Sequence, residues 1–372
     1  MQDREWNKTM KVMTILGTRP EIIRLSLIIN KLDQLCSRHI LVHTGQNFTG
    51  NLSDVFFREM KVRTPDVILL DKQHSLGEQL SAIFSGLEKL ILAERPDRVL
   101  VLGDTNSGLG AIIAERMGVP VIHMEAGNRC FDLEVPEEKN RKVIDAISTY
   151  NLPYTPQSRE NLLREGIPSS RIIVSGNPIY EVLQHYKSEI NQSPILEELK
   201  LEPKSYFLAT IHRAENVDRA DRLKEIMKGL NLTAQKFQLR MICSIHPRTR
   251  SKLSQLESLD MHPLVEFHDP FGFFDFVKLE KNAFGALTDS GTVQEECCLF
   301  HVPAVTIRKT TERPETIECG SNMVSGLKAE DILRCVEVMA ASDRNWSFPV
   351  GYEQPFVSDK VIKVLLGGMK NV

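Results

Sequence analysis

The sequence predicts an α/β fold of two similar, doubly wound units whose strand ends face a common cleft. Three observations predict it. At 372 residues the chain exceeds one typical core, and two domains of roughly 150–200 residues are the default. Short β-rich runs alternate with helix-period segments in both halves, the pattern of parallel strands covered by helices on both faces. Each strand also ends in a polar or glycine-containing turn, the end at which such sheets bind ligands.

In the first half, Lys11–Leu16 (KVMTIL) is the opening strand; it leads to GTRPE and then to IIRLSLIINKL, with apolar residues at helical spacing. His39–His43 (HILVH) follows, then TGQNF and another helix. Arg98–Leu102 (RVLVL) leads to GDTNSG and the helix LGAIIAERM. Val119–Met124 (VPVIHM) runs into HMEAGNRCFDLEVPEEKNRK, residues 123–142, and a further helix. The polar, proline-marked stretch 188–205 (SEINQSPILEELKLEPKS) is read as the connection between domains. The cycle then restarts. Tyr206–Ile211 (YFLATI) ends at HRAEN and Leu239–Ile245 (LRMICSI) at HPRTR. Ala283–Thr288 (AFGALT) ends at DSGTVQEE and Val302–Ile307 (VPAVTI) at RKTTERPE. Phe356–Leu366 is a closing helix expected to return to the first domain. The expected domains are 1–190, together with a helix at about 355–372, and 191–354.

Apolar content of 42 % and charged content of 26 % are those of an ordinary soluble globular protein. A net charge of −3 offers no bulk attraction to nucleic acid or an anionic membrane, so neither is expected as a partner. The N-terminal MQDREWNKTM has no apolar h-region, and no stretch approaches eighteen uninterrupted apolar residues; neither a signal peptide nor a membrane span is expected. The seven cysteines form no CxxC pair and no His/Cys cluster at zinc spacing, and adjacent Cys297 and Cys298 cannot make a normal disulfide. A cytoplasmic protein with no metal is expected.

The charges collect at the strand ends. From Glu125 to Glu138 five carboxylates (Glu125, Asp132, Glu134, Glu137, Glu138) stand among Arg129, Lys139, Arg141 and Lys142: a solvated loop and helix start, or a catalytic rim. In GTRPE, Gly17 allows a tight turn, Pro20 suits a helix N-terminus, and Arg19 lies where a phosphate would meet helix amides; the alternative is an arginine capping a loop. In DSGTVQEE, Ser290 and Gly291 open a helix after a buried strand. Free N–H groups and a hydroxyl there can cradle a pyrophosphate, with Glu295 or Glu296 able to accept ribose hydroxyls. A plain capping box at Ser290 would read the same way.

RKTTERPE is a second diphosphate clamp or an exposed charged loop. His212 with Arg213 is a satisfied pair or a functional one, and His246 with Arg248 ends the next strand in the same manner. Asp104 acts in chemistry or merely caps the following helix. Repetition favours function: so many charged strand ends exceed what capping requires. No GxGxxG follows the first strand and there is no Walker lysine, which removes dinucleotide oxidoreductases and P-loop enzymes; no GxSxG occurs either.

GTRPEIIRLS, GDTNS, HMEAG, PEEKNR, HRAENVD, HPRTR, DSGTVQEE and TTERPE, in that order over nearly the whole chain, resemble the non-hydrolysing UDP-N-acetylglucosamine 2-epimerases. The resemblance implies two Rossmann-like domains in a GT-B arrangement, a UDP-sugar in the interdomain cleft, a homodimer, and no metal or redox cofactor. It implies inversion of C2 by anti-elimination of UDP to a 2-acetamidoglycal, then re-addition after protonation from the other face. The C2 proton lies beside an amide nitrogen, not a carbonyl, and is only weakly acidic. Such chemistry needs clamps for the departing diphosphate and acid–base groups on both faces of the ring.

Motif by motif, the resemblance matches Asp104, Glu125 and Glu137 to the catalytic carboxylates and His212 to the catalytic histidine. It matches Arg19, Ser290, Gly291 and Arg313 to diphosphate contacts and Glu296 to the ribose contact. Arg24, Arg129, Arg141, Arg213 and His246 are expected to bind or orient substrate, with Arg129 and Arg141 balancing Glu125 and Glu137. Glu134, Glu138 and Lys142 are read as solvent-facing or helix-start charges. The chain departs from the family pattern at four places. Arg24 stands where lysine is common, EAGNRCFD replaces an EAGLRTGD-type run, DSGT replaces DSGG, and GQN (45–47) replaces AQH. These departures resemble the branch that makes UDP-N-acetyl-L-fucosamine from its talo-configured 2-epimer, which is the alternative substrate; a GT-B glycosyltransferase is the alternative of another class.

Overall fold

The computed structural model of the chain describes residues 10–46, 50–70, 75–256 and 260–367. The first nine residues, on which the expectation about a leader rests, and Asn47 of the GQN stretch lie outside them. The chain divides into two compact units, Met1–Gln184 with Val350–Val372, and His185–Pro349.

The first unit is built on β1 (Lys11–Leu16), β2 (Arg38–His43), β3 (Val67–Ile68), β4 (Arg98–Leu102), β5 (Val121–Met124) and β6 (Tyr150–Leu152). All pair in parallel, in the order β3-β2-β1-β4-β5-β6. Strands buried on both faces read as continuous apolar runs, and β4 and β5 are buried throughout. Between the strands run α1 (Arg19–Leu35), α2 (Gly50–Glu59), α3 (Leu76–Glu94), a 3₁₀ turn (Asn106–Gly110) with α4 (Ala111–Arg116), α5 (Pro136–Ile147), α6 (Pro156–Arg164) and α7 (Ile179–His185). Their starts are written in the sequence. Ser75 and Glu78 form a capping box on α3, and Thr155 with Pro156 opens α6.

The closing helix of this unit, α17 (Val357–Leu366), packs on α1. Lys31 Nζ donates to Ser358 Oγ at 2.7 Å, and the Arg98 guanidinium donates to the Leu365 and Gly367 carbonyls at 2.8 and 2.7 Å. A cation thereby satisfies orphan carbonyls at the negative end of the helix.

The second unit begins with α8 (Lys187–Gln192) and α9 (Ile195–Glu198), so the stretch expected as plain connection is partly helical. Ile190, Ile195 and Leu201 are buried, which is why the segment is ordered despite its polar composition. Then come β7 (Tyr206–Thr210), α10 (Ala214–Val217), α11 (Ala220–Phe237), β8 (Arg240–Ser244), α12 (Pro247–Leu253), β9 (Val265–His268) and α13 (Phe273–Asn282). The unit continues through β10 (Gly285–Thr288), α14 (Gly291–Leu299), β11 (Ala304–Thr306), α15 (Pro314–Glu318), β12 (Asn322–Val324) and α16 (Ala329–Ala341). Its sheet, ordered β12-β11-β10-β7-β8-β9, is again wholly parallel. Alternate residues of β7 enter two separate cores. Phe207 and Ala209 pack with α11 and α16, while Tyr206 and Leu208 pack with α13 and α14. In each sheet the strand order reverses at one point, between β1 and β4 and between β7 and β10. Such points leave a crevice at the carboxyl ends of the strands.

Candidate active site

In the first unit, the turns after β1, β4 and β5 and the start of α5 are tied into one cluster. Thr18 and Glu21 cap α1 reciprocally. The Glu21 carboxylate accepts from the Gly17 and Thr18 N–H groups, both at 2.7 Å, and from the Thr105 hydroxyl at 2.9 Å, which joins GTRPE to GDTNS. Burial pushes the Glu21 acid up to about 7 against the pull of those donors. Arg19 is half-buried, its guanidinium over the Phe56 ring at 5.6 Å. Asp104 does not cap the 3₁₀ turn after β4; Thr105 does, accepting from the Ser107 N–H at 3.2 Å.

The Asp104 carboxylate is held instead by Arg141, Nε to Oδ2 at 2.7 Å, and its carbonyl by Asn140 at 2.9 Å. Glu125 sits just past β5 in the left-handed region, φ 66°. Its carboxylate meets Arg24 of α1 at 2.7 Å, in a pair whose side chains are 1 % and 10 % exposed. The Arg24 guanidinium also lies 5.8 Å from the Tyr154 ring centroid. Glu137 is half-buried in the first turn of α5.

Two expectations need correction here. Glu138 is not a solvent-facing charge: it is fully buried and accepts from the Cys130 and Phe131 N–H groups at 3.0 and 3.1 Å and from Arg141 at 2.7 Å. Burial works to raise its pKa, but those donors and the Arg141 charge hold it below the ordinary carboxylate value. A loop of backbone N–H groups needs an acceptor, and this acid supplies it. Glu134 and Lys142 are exposed as read. Arg129 does not balance Glu125 or Glu137; its guanidinium goes to Asp145 at 2.7 Å and to Glu165 at 2.9 Å. Asp145 also meets His123 at 2.9 Å and accepts from the Gly127 N–H at 3.1 Å, so Arg129 anchors the turn that carries Glu125. Arg141 meets Asp104 at 2.6 Å and Glu138 at 2.7 Å.

In the second unit the hub is Asp289, a residue the sequence reading did not single out. Fully buried at the end of β10, it accepts from the His212 N–H at 3.1 Å, the Arg213 N–H at 2.9 Å and Asn216 Nδ2 at 3.1 Å. The His212 ring stands with Nδ1 3.3 Å from Asp289 while its side chain is 45 % exposed. The carboxylate faces Nδ1 and so orients the ring. Asp289 was missed because a buried aspartate opening a helix looks like a cap.

Arg213 reaches Glu312 at 3.2 Å, and Arg308 reaches the same carboxylate at 2.6 Å. Ser290 starts α14 without capping it through its side chain, which pairs with Thr292 Oγ1 at 2.9 Å. The capping-box alternative is thereby removed. A Cβ at Gly291 would lie 2.6 Å from Glu312 Oε1, so the close approach of that acid requires glycine. Arg313, at the start of α15, is buried and bonded to Glu295, and Glu296 is buried one residue on. His246 serves as N-cap of α12, Nδ1 accepting from the Arg248 N–H at 3.3 Å. Among the described residues no group of three or more His, Cys, Asp or Glu is arranged to hold a metal.

Residues 31–366 match the family model described as UDP-N-acetylglucosamine 2-epimerase. The UDP-N-acetylglucosamine 2-epimerase of Methanocaldococcus jannaschii is 40 % identical over 367 residues, covering 96 % of this chain and all of that protein. Its crystal structure in complex with UDP-GlcNAc and UDP matches with a TM-score of 0.91 at 39 % identity, covering 96 % and 100 % of the two chains. The UDP-2,3-diacetamido-2,3-dideoxy-D-glucuronate 2-epimerase of Pseudomonas aeruginosa is 35 % identical over 328 residues, 87 % of this chain and 90 % of that protein. The fold class is the one predicted, α/β with two Rossmann-like units of GT-B-like kind.

Proposed function

The chain belongs to the UDP-N-acetylglucosamine 2-epimerase family, and we propose that the charged groups at its strand ends divide that family's reaction among them. It is an isomerase of the non-hydrolysing type, acting at C2 of UDP-N-acetylglucosamine. In the forward direction a base takes the C2 proton as the C1–O bond to UDP breaks on the opposite face. The C–H pair becomes the C1=C2 bond of a 2-acetamidoglycal, and UDP departs with the C–O pair. UDP then returns to C1 while an acid protonates C2 from the other face. Asp104, Glu125 and Glu137 are the acid–base groups, with His212 as a further proton carrier. Arg19, Ser290, the Gly291 N–H, Arg213 and Arg313 hold the diphosphate, and Glu296 accepts the ribose hydroxyls. Keeping UDP bound makes its return effectively intramolecular, worth up to about 7–11 kcal/mol in well-oriented cases.

The observation that carries this assignment is that Asp104 and Glu125, past the ends of neighbouring strands β4 and β5, each have their own buried arginine, Arg141 and Arg24. Acid–base groups must be held within a fraction of an ångström to work, and a rigid ion pair does that. The 40 % identity to a UDP-N-acetylglucosamine 2-epimerase supports the 6-hydroxy sugar over the 6-deoxy alternative. As the resemblance of its motifs implies, we also place the enzyme in the cytoplasm as a homodimer, and light scattering of the purified protein would check the dimer.

The test is turnover of UDP-N-acetylglucosamine in deuterated water followed by NMR. Deuterium should enter C2 of both epimers while free UDP stays below the level of enzyme. Absence of deuterium at C2 would overturn the reading, and stoichiometric release of UDP would make the enzyme a hydrolysing one. Faster turnover of the 6-deoxy-L-talo sugar nucleotide would move it to the fucosamine branch.

A further inference from the structure

Glu280, on α13, is a fully buried acid that the reaction above does not use. Its Oε1 accepts from the Cys297 thiol at 3.3 Å. Burial and the neighbouring carboxyls push that thiol well up, so it stays a donor. The other oxygen, Oε2, is buried and receives no ordinary N–H or O–H among the described residues. The carboxyl of Glu296, on α14 and next in the chain to the Cys297 that bonds Glu280, is a hydrogen-bonding neighbour of this acid. Two carboxylates cannot bond to each other; the contact exists only if one of them carries a proton. No cation pairs with Glu280 among the described residues. The remaining titratable groups nearby are the Tyr206 hydroxyl, which donates to the Leu279 carbonyl at 2.6 Å, and Lys204, which donates to the Lys281 and Ala283 carbonyls at 3.2 and 3.1 Å. Ionising Glu280 would place a second negative charge in a dry site beside Glu296, and burial followed by that repulsion raises its pKa well above the ordinary carboxylate value.

We propose that Glu280 is a positioning residue for nucleotide binding: as a neutral acid it donates the hydrogen bond that fixes one oxygen of the Glu296 carboxylate and turns the other toward the ribose hydroxyls. The proposal rests on the reading of Glu296 as the ribose contact. A carboxylate with both oxygens unrestrained would lose rotamer freedom on binding; one already bonded from behind would not. The resulting pair carries a single negative charge, which the neighbouring diphosphate tolerates better than two.

The experiment is calorimetric titration with UDP and with 2′,3′-dideoxyuridine 5′-diphosphate, on wild type, Glu280→Gln and Glu280→Leu, from pH 6 to pH 9.5. The ratio of the two affinities isolates the ribose hydroxyls and cancels titration of the phosphates. Wild type should favour UDP. Glu280→Gln, whose amide donates at every pH, should keep that ratio within about threefold, and Glu280→Leu should lower it about tenfold or more. Where wild type loses the preference at high pH as Glu280 ionises, Glu280→Gln should not. A Glu280→Leu ratio equal to wild type, an equal loss for both nucleotides, or an alkaline fall retained by Glu280→Gln would each overturn the proposal. The Glu280→Gln profile decides the matter even if the leucine variant does not fold. Failure of the ribose reading looks different: wild type itself would bind both nucleotides equally well.

Discussion

Glu125 is held in a backbone conformation that costs a non-glycine residue about 1–2 kcal/mol, and its charge is buried. Both costs persist because Arg24 meets the carboxylate across 101 residues of sequence. The two residues therefore fail differently when changed. Glu125→Gln should lower kcat by at least about a hundredfold with little change in KM, as expected for an acid–base group. Arg24→Met leaves a buried carboxylate without its cation and should destabilise by about 3–5 kcal/mol in chemical denaturation. Combining them should recover most of that stability and none of the activity. A double variant as unstable as Arg24→Met alone would disprove the coupling. The sequence pointed to Asp104, Glu125 and Glu137 through the motifs that contain them, but not to their partners. Arg129 lies four positions from Glu125 and turns away to Asp145, whereas Arg24 comes from another helix. Which cation meets which acid is decided by tertiary packing, and chain proximity misleads.

At the scale of the element, the turn from β5 toward α5 shows how Glu125, the acid proposed for catalysis, is aimed. The turn must reverse direction close under α6, and a Cβ at Gly127 would lie 2.1 Å from the Ser158 carbonyl oxygen. Gly118 provides a built-in control. Both glycines have φ 77°, yet nothing lies within 4 Å of a Cβ at Gly118. Gly118→Ala should cost about 1–2 kcal/mol for the left-handed conformation alone. Gly127→Ala adds an overlap worth about 1–3 kcal/mol more and should also cut turnover, since Glu125 shifts with the turn. Equal denaturation midpoints for the two variants would contradict this account. Elements were legible in the sequence where burial is complete. The central strands β1, β4, β7 and β10 carry continuous apolar runs, while β3, β6, β9 and β12, edge strands of two to four residues, carry no period long enough to read. Pro120 and Pro303 shortened two expected strands at their starts, because proline gives no N–H to the ladder.

For the whole molecule, pH acts on the first unit through two buried groups with opposite signs. Glu21 titrates at about 7 in the folded chain against 4.5 ordinarily, so between those values the folded state binds more protons than the unfolded one, and its contribution is lost as pH rises. His43 is the reverse. Burial lowers it to about 4 from 6.5, and its Nδ1 accepts from the Gly45 N–H at 3.0 Å, a bond that protonation would break. Over that window the unfolded state binds more protons, and stability is gained as pH rises. Each shift is worth about 3 kcal/mol, so the two nearly cancel between pH 4.5 and 6.5 and the wild-type profile should be flat there. Removing one group exposes the other. Glu21→Gln should make stability climb with pH through this window, and His43→Gln should make it fall from pH 4.5 to 7. Hydrogen exchange at the amides of β1 and β2 reads this unit without interference from the other. If both variants kept the flat profile, neither buried group would be titrating as its surroundings require, and the acid at the heart of the GTRPE turn would serve only as a cap.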